Sequence, residues 1–150
     1  MEFPNPSPQL QTVLAFLKGV QEQNPEAMFS HLTDDVEYHW VPPGFDVLGP
    51  RIKNRKQTEE WLRGVCGTFI KDFKTVIDDY VEMPGKIVLQ MFFTGDLLTG
   101  PGKYENHCMW FFHVTYGPEP KIKVVKEFFD SLHCARVWGL LPAEEQVKPV

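Results

Sequence analysis

Glu127 is the first candidate for proton transfer in this sequence. It lies between Lys126 and Phe128 in a segment rich in apolar residues, which predicts a strand that packs in the core. A carboxylate that faces an apolar pocket has its pKa raised by desolvation toward the range useful for proton transfer. The alternative is a salt bridge to Arg51 or Arg55, in which case Glu127 only closes the base of the pocket. The sequence leaves both interpretations open.

His39 is the second candidate for proton transfer. It directly precedes Trp40 in the segment from Asp35 to Val41, where apolar and polar residues alternate as they do in a strand. Imidazole titrates near neutral pH, so His39 can shuttle a proton, but a histidine that is hydrogen-bonded inside the core is the commoner outcome. Asp46 follows in a loop of glycines and prolines, where an aspartate either forms a turn or acts as an acid at the pocket rim.

Metal and cofactor binding are not indicated. The closest pair of histidines, His107 and His113, is six residues apart on one predicted strand, hence separated by about 20 Å. The cysteines Cys66, Cys108 and Cys134 contain no C-x-x-C pair, which disfavours a zinc site or a disulfide framework and fits a reducing compartment. The glycine-rich phosphate loops and the dinucleotide fingerprint are also absent. We therefore expect no metal site and no cofactor.

Length and charge restrict the class of protein. A chain of 150 residues has the size of one domain, and a net charge of -5 disfavours a nucleic-acid partner. No apolar run approaches the ~18 residues that span a bilayer, and the first residues lack the features of a signal peptide. We expect a cytoplasmic protein with no membrane partner. Its domain should cover residues 8–138, between a flexible tail at 1–7 and a second tail at 139–150.

The elements that must position the candidates are helices first and strands second. Cap and proline signals at Ser7-Pro8 and Asn24-Pro25 open two helices, and Trp61 lies on the apolar face of a third. Turn signals then separate four predicted strands, which cover residues 73–83, 86–98, 103–116 and 121–130. This order predicts an α+β domain with an antiparallel sheet of hairpin-linked strands.

Both faces of the two central strands are apolar, over Ile87–Phe93 and Cys108–Phe112. One face packs on the helices, and neither face is suited to water. A second copy of the chain is the simplest cover for the other face, so the sequence predicts a homodimer.

The order of elements and three short motifs resemble the nuclear transport factor 2-like superfamily, which includes ketosteroid isomerase. The most similar branch is that of the fungal SnoaL-like proteins. The motifs are Tyr38–Pro42, Gly102–His107 and Lys126–Ser131, and the resemblance covers roughly residues 8 to 135. It implies a cone-shaped, curved antiparallel sheet wrapped around three N-terminal helices, with a blind pocket between the sheet and the helices.

Superposition on the ketosteroid isomerase pattern implies which side chains point into this pocket. The inward set is Tyr104, Asn106, Cys108, Trp110, Phe112, Val125, Glu127 and Phe129. The set on the convex face, through which the homodimer should form, is His107, Met109, Phe111 and His113. A one-residue bulge would reverse these assignments.

The resemblance implies a site with two catalytic residues, Glu127 and His39, because His39 lies near the wall where ketosteroid isomerase carries its base. The implied ligand contacts are Trp40, Tyr104, Asn106, Trp110, Phe112 and Phe129. The aspartate-before-proline of that enzyme is replaced here by Val41, and Phe112 occupies the place of its oxyanion-hole aspartate. The enolisation machinery of ketosteroid isomerase is therefore not expected.

These inferences favour a cofactor-independent enzyme, an acid/base isomerase, cyclase or dehydratase that acts on an apolar, polyketide- or terpenoid-like small molecule. The alternative is a non-catalytic ligand-binding or scaffold protein of the same fold. Two titratable groups that meet at an open cavity favour the enzyme. A cavity filled by Trp110 and Phe129 favours the alternative.

Overall fold

The fold begins with helices and continues with a long sheet, as the sequence predicts, and a short helix follows the last strand. The computed structural model describes residues 3–41, 49–99 and 102–139. Its elements are α1 (Pro8–Gln21), α2 (Pro25–Phe29), β1 (Leu32–Val41), β2 (Ile52–Lys53), α3 (Arg55–Val65), β3 (Ile70–Met83), β4 (Lys86–Leu97), β5 (Lys103–Val114), β6 (Ile122–Phe129) and α4 (Ser131–Val137). None of the described helices is long and apolar enough to span a membrane.

Side-chain caps fix where the first three helices begin. The Ser7 hydroxyl accepts a hydrogen bond from the Leu10 amide at 3.0 Å, and Asn24 caps α2 in the same way. Asn54 and Gln57 form a reciprocal capping box at the start of α3. These contacts satisfy amide groups that have no partner within the helix, so the polar residues before each helix determine its first residue.

The six strands form one curved, open sheet in the order β2-β1-β6-β5-β4-β3. Strands β3 to β6 are joined as successive antiparallel hairpins, as predicted. The early strand β1 pairs with the last strand β6 in parallel. The resulting α+β architecture confirms the predicted fold class, with one parallel pair in a sheet that was expected to be antiparallel.

The inward and outward faces follow the predicted parity. The side chains at alternate positions of β5, from Tyr104 to Phe112, are buried, while His107 and Met109 between them are exposed. The register shift between β5 and β6 lies at His113, beyond the predicted site, so it does not reverse the assignment. The buried face of the sheet and the apolar faces of α1 to α3 enclose the hydrophobic core.

Residues at the start of the chain contact the sheet edge. The Phe3 ring lies 5.1 Å from the Tyr80 ring in edge-to-face geometry, and the Ser7 hydroxyl donates a hydrogen bond to Glu82. Phe3 and Ser7 of the predicted tail therefore contact β3.

Candidate active site

A cavity of about 140 Å³ lies between the concave face of the sheet and the helices. All four tryptophans of the chain, Trp40, Trp61, Trp110 and Trp138, line it. Its remaining walls are mainly phenylalanine and aliphatic side chains from the helices and from β3 to β6. Trp110 and Phe129 form part of the wall and leave the cavity open between them and the helices.

Among the described residues that line the cavity, Glu127 is the acidic one. In the sheet register it lies between Trp40 of β1 and Trp110 of β5, with all three side chains on the concave face. The carboxylate lies deep in the protein, and its accessible surface faces the cavity. Its Oε2 atom accepts a hydrogen bond from the Tyr38 hydroxyl at 2.5 Å. Three neighbouring strands therefore fix the place of this carboxylate.

Burial raises the pKa of Glu127 to about 7. The Tyr38 hydrogen bond, the positive charge of Lys53 and the indole groups of Trp40 and Trp110 oppose this rise, because each stabilises the ionised carboxylate. Desolvation outweighs them. Glu127 consequently populates both protonation states near neutral pH, which is the property that a general acid or base requires.

The alternative interpretation, a salt bridge from Glu127 to Arg51 or Arg55, is not present among the described residues. Arg55 instead pairs with Glu59 at 2.5 Å and donates to the Leu32 carbonyl at 3.1 Å, and Arg51 is exposed. The cation that acts on Glu127 is Lys53, whose ammonium lies 3.5 Å above the centre of the Trp40 ring.

The structure does not bring His39 to Glu127. Residues 38 and 40 point inward from β1, so His39 lies on the convex face, where its Nε2 atom is 2.8 Å from the Glu37 carboxylate. His39 is not among the described side chains that line the cavity. This placement corrects the prediction of a Glu127–His39 couple, and the physical reason is the two-residue period of the strand.

Four of the six predicted ligand contacts line the cavity: Trp40, Tyr104, Trp110 and Phe129. Phe112 does not, because it lies deeper in the core and packs edge-to-face on Phe16, with the ring centres 6.2 Å apart. Phe112 is therefore a packing residue, and its prediction as a ligand contact is corrected.

Asn106 points inward as predicted, but its polar atoms are bound within the protein. Its Oδ1 atom accepts the Asp130 amide at 2.9 Å, and its Nδ2 atom lies 3.0 Å from the Cys134 sulfur. The prediction of Asn106 as a ligand contact is therefore corrected. Asn106 connects the start of α4 to β5 through its side-chain hydrogen bonds.

Trp110 lines the cavity with its ring, while its indole nitrogen is buried beside Glu127. Its indole N–H is close enough to Glu127 to lower the pKa of that carboxyl, yet this buried atom makes no hydrogen bond of good geometry to any described residue.

The buried thiols are inert. Cys134 lines the cavity, where burial raises its pKa to about 12, and burial also raises the pKa of Cys108. Both thiols stay protonated at neutral pH and are poor nucleophiles. Within the described residues, no group of three or more histidine, cysteine or acidic side chains is arranged to hold a metal ion.

Several residues of the site were missed by the sequence analysis. Tyr38 has the same parity as Trp40, so the alternation of β1 was a signal that it faces Glu127. Lys53 lies on the two-residue strand β2, which is too short to show a period. Trp138 directly follows α4, a helix that the sequence analysis did not predict. Asp46 lies outside the described residues.

This α+β architecture, in which a curved open sheet and helices surround a cavity, is the nuclear transport factor 2-like fold. An NTF2-like protein of unknown function from Burkholderia pseudomallei has it, with 16% identity and a TM-score of 0.73 over 88% of this chain and 98% of that chain. PrhC from Penicillium brasilianum has 20% identity and a TM-score of 0.74, covering 91% of each chain. The BvnE pinacolase from Penicillium brevicompactum has 22% identity and a TM-score of 0.70, over 88% of this chain and 92% of that one.

The family follows from the sequence match. A model of the SnoaL-like domain matches residues 13–123, which is most of the chain. This protein belongs to the SnoaL-like domain family. Among curated proteins, none matches the chain significantly.

Proposed function

We propose that this protein is a cofactor-independent enzyme that isomerises, cyclises or dehydrates an apolar small molecule, with Glu127 as the group that carries the proton. The observation that supports this proposal most is the carboxylate itself. It lies on the wall of an aromatic cavity, accepts a hydrogen bond from Tyr38 and has a pKa of about 7.

The chemistry is a proton transfer in two directions. The ionised Glu127 removes a proton from a carbon or hydroxyl of the substrate, and the neutral carboxylic acid then returns a proton to another atom. Tyr38 holds one carboxylate oxygen, so the orientation of the acid is fixed before the substrate enters.

The walls favour an apolar, ring-containing ligand with few polar atoms. A volume of about 140 Å³ is close to that of a cavity that holds one benzene molecule. The cavity thus suits one ring of a polyketide- or terpenoid-like compound, and the pinacolase among the structural neighbours supports a role in small-molecule chemistry. Its small size also favours the second candidate, a protein that binds such a ligand and does not transform it.

Deuterium exchange tests the proposed chemistry before the natural substrate is known. The protein is incubated in D2O with a panel of cyclic ketones and enones, and mass spectrometry follows the uptake of deuterium next to the carbonyl. We expect exchange with at least one compound, and Glu127→Gln should slow it by about 10²- to 10⁴-fold.

His39→Gln is the matched control, because it removes a titratable side chain on the opposite face of the sheet. It should exchange at the parent rate. Equal rates in the parent and in Glu127→Gln would exclude Glu127 from the mechanism. Ligands that bind but never exchange in the parent protein would favour the binding function instead.

A further inference from the structure

Lys53 is a buried cation outside the group of residues assigned to proton transfer. Only 3% of its surface is exposed, although its strand β2 is two residues long and lies at the edge of the sheet. In the antiparallel pair of β1 and β2, Lys53 is opposite Tyr38, so it shares the inward face with Tyr38 and Trp40.

The surroundings of the ammonium group are mostly aromatic. Its Nζ atom lies 3.5 Å from the centre of the Trp40 ring and 5.5 Å from that of Trp61, and it donates a hydrogen bond to the Pro50 carbonyl at 2.8 Å. Cation–π contacts of this kind are strengthened when the cation is removed from water. The position of Lys53 is therefore fixed by the face of the Trp40 ring.

Trp40 connects Lys53 with Glu127. Trp40 and Glu127 are direct neighbours in the register of β1 and β6, and the Trp40 indole stabilises the ionised form of Glu127. The Lys53 charge stabilises the same form. A buried lysine costs stability compared with an apolar side chain of similar length, so its presence is better explained by an effect on its neighbours than by packing.

Among the described residues, the other titratable groups that interact electrostatically with Glu127 carry no charge at neutral pH. They come from β1, β5 and α4, and burial raises the pKa of each. These groups are Tyr38, Tyr104, Cys108 and Cys134. The helices α1 to α3 and the strands β3 and β4 line the cavity with uncharged side chains. Among the described residues, Lys53 is thus the cation that sets the electrostatic potential at Glu127.

We infer that Lys53 is a positioning residue of this site: its ammonium holds the Trp40 ring beside Glu127 and balances the negative charge that Glu127 carries as a base. Without this charge, a smaller fraction of Glu127 would be ionised at neutral pH and able to accept a proton from a substrate. The role of Lys53 in catalysis rests on the proposed function. Its electrostatic effect on Glu127 does not, because that effect exists without any ligand.

The test is the titration of Glu127 in the ligand-free protein, followed by carbon-detected NMR of its carboxyl group. We expect Lys53→Met to move the midpoint upward by roughly one pH unit or more, since it removes an opposite charge and keeps an apolar chain of similar length. Lys53→Arg retains the charge and should leave the midpoint close to that of the parent. Lys56→Met is the matched control, because Lys56 is an exposed lysine of α3 that pairs with Glu60.

A Glu127 midpoint that is the same in Lys53→Met and in the parent would overturn the inference, as would an equal shift in Lys53→Arg and Lys53→Met. If Lys53→Met does not fold, Lys53→Gln keeps a donor for the Pro50 carbonyl and is titrated in its place, with the same upward shift expected. The readout needs no substrate. A failure of the inference about Lys53 can therefore be distinguished from a failure of the deuterium-exchange experiment.

Discussion

Glu127 makes the stability of the protein depend on pH. Its pKa is 4.5 in an unfolded chain and about 7 in the folded one, so the folded protein binds more protons between these values. The contribution of Glu127 to the free energy of unfolding is therefore fully present below pH 4.5 and decreases as the pH rises to about 7, by at most about 3 kcal/mol.

We expect Glu127→Gln to remove this dependence. The amide keeps the shape of the side chain and cannot ionise, so the parent should lose stability relative to the variant between pH 5 and pH 8. Urea unfolding of both proteins at four pH values in this range measures the difference. A difference that does not change with pH would show that Glu127 titrates alike in the folded and unfolded chains.

Tyr38→Phe tests the hydrogen bond that orients the acid. The hydroxyl donates to Glu127 at 2.5 Å, and a donor of this kind stabilises the ionised carboxylate more than the neutral one. We expect the pKa of Glu127 to rise further in the variant. The loss of stability should be larger at pH 8, where it should reach about 1.5 to 3 kcal/mol, than at pH 5.

Chemical denaturation at both pH values measures this loss, and Tyr116→Phe, at an exposed tyrosine, is the control. An equal loss at pH 5 and pH 8 would mean that the hydroxyl does not discriminate between the two forms of Glu127.

Part of the site could be predicted from the sequence because strands have a simple period. The period of β5 and β6, combined with the resemblance to ketosteroid isomerase, predicted that Trp110, Glu127 and Phe129 share one face, and all three line the cavity. Lys53 could not be found in this way, since two residues of strand have no period and its contacts depend on how β1 and β2 pair. The misplacement of His39 came from reliance on the position of a base in another enzyme, against the parity of its own strand.

A glycine of β4 allows β3 to bend toward the cavity. Gly95 is opposite the register shift between Lys71 and Lys74, where Asp72 has a φ of 51°. A Cβ atom at Gly95 would lie 2.8 Å from the Lys71 carbonyl oxygen and would also meet the Ile70 side chain. This bend presents Phe73 to the cavity, against Phe93.

Gly95→Ala should therefore lower the free energy of unfolding by about 1 to 3 kcal/mol, because the backbone of β3 must move to admit the methyl group. Gly64→Ala is the control within a helix. No atom lies within 4 Å of the corresponding position in α3, and alanine should stabilise that helix by up to about 1 kcal/mol. Thermal unfolding compares the two variants, and a Gly95→Ala protein as stable as the parent would show that β3 is not held closely there.

At the level of elements, local signals predicted most of the fold. Turn residues separated β3 to β6, and cap residues began α1 and α2, because these signals act within a few residues of the chain. The parallel pairing of β1 with β6 joins segments about 90 residues apart, as in Trp40 and Glu127, and no local pattern encodes it. The start of β3 at Ile70 was missed since the bulge at Asp72 interrupts its alternation.

The convex face of the sheet supports the proposed homodimer. Met109 and Phe128 expose 42% and 39% of their surface there, and the Phe128 ring lies 5.4 Å from that of Phe111. On the neighbouring strands, the rings of Phe92 and His107 are 4.8 Å apart. These apolar side chains lie beside polar ones such as Gln90 and Lys126, and a second copy of the chain would remove them from water.

We expect the protein to be a dimer at micromolar concentration and Met109→Glu to shift it to the monomer, because the charge would be buried in the interface. Multi-angle light scattering measures the mass of both proteins. Leu132→Glu, which alters an exposed apolar residue of α4, should leave the dimer intact. A monomeric parent protein would refute the proposal.

All four tryptophans line one cavity, so tryptophan spectroscopy can detect what the cavity contains. The ring centres of Trp40, Trp61 and Trp138 lie within 6.4 Å of one another, so the excited states of these rings are coupled. All three rings also lie close to any molecule that occupies the cavity. Intrinsic fluorescence and near-ultraviolet circular dichroism should consequently report on the contents of the cavity with little background from elsewhere in the chain. A compound library can be screened on unlabelled protein in this way, before any reaction is known.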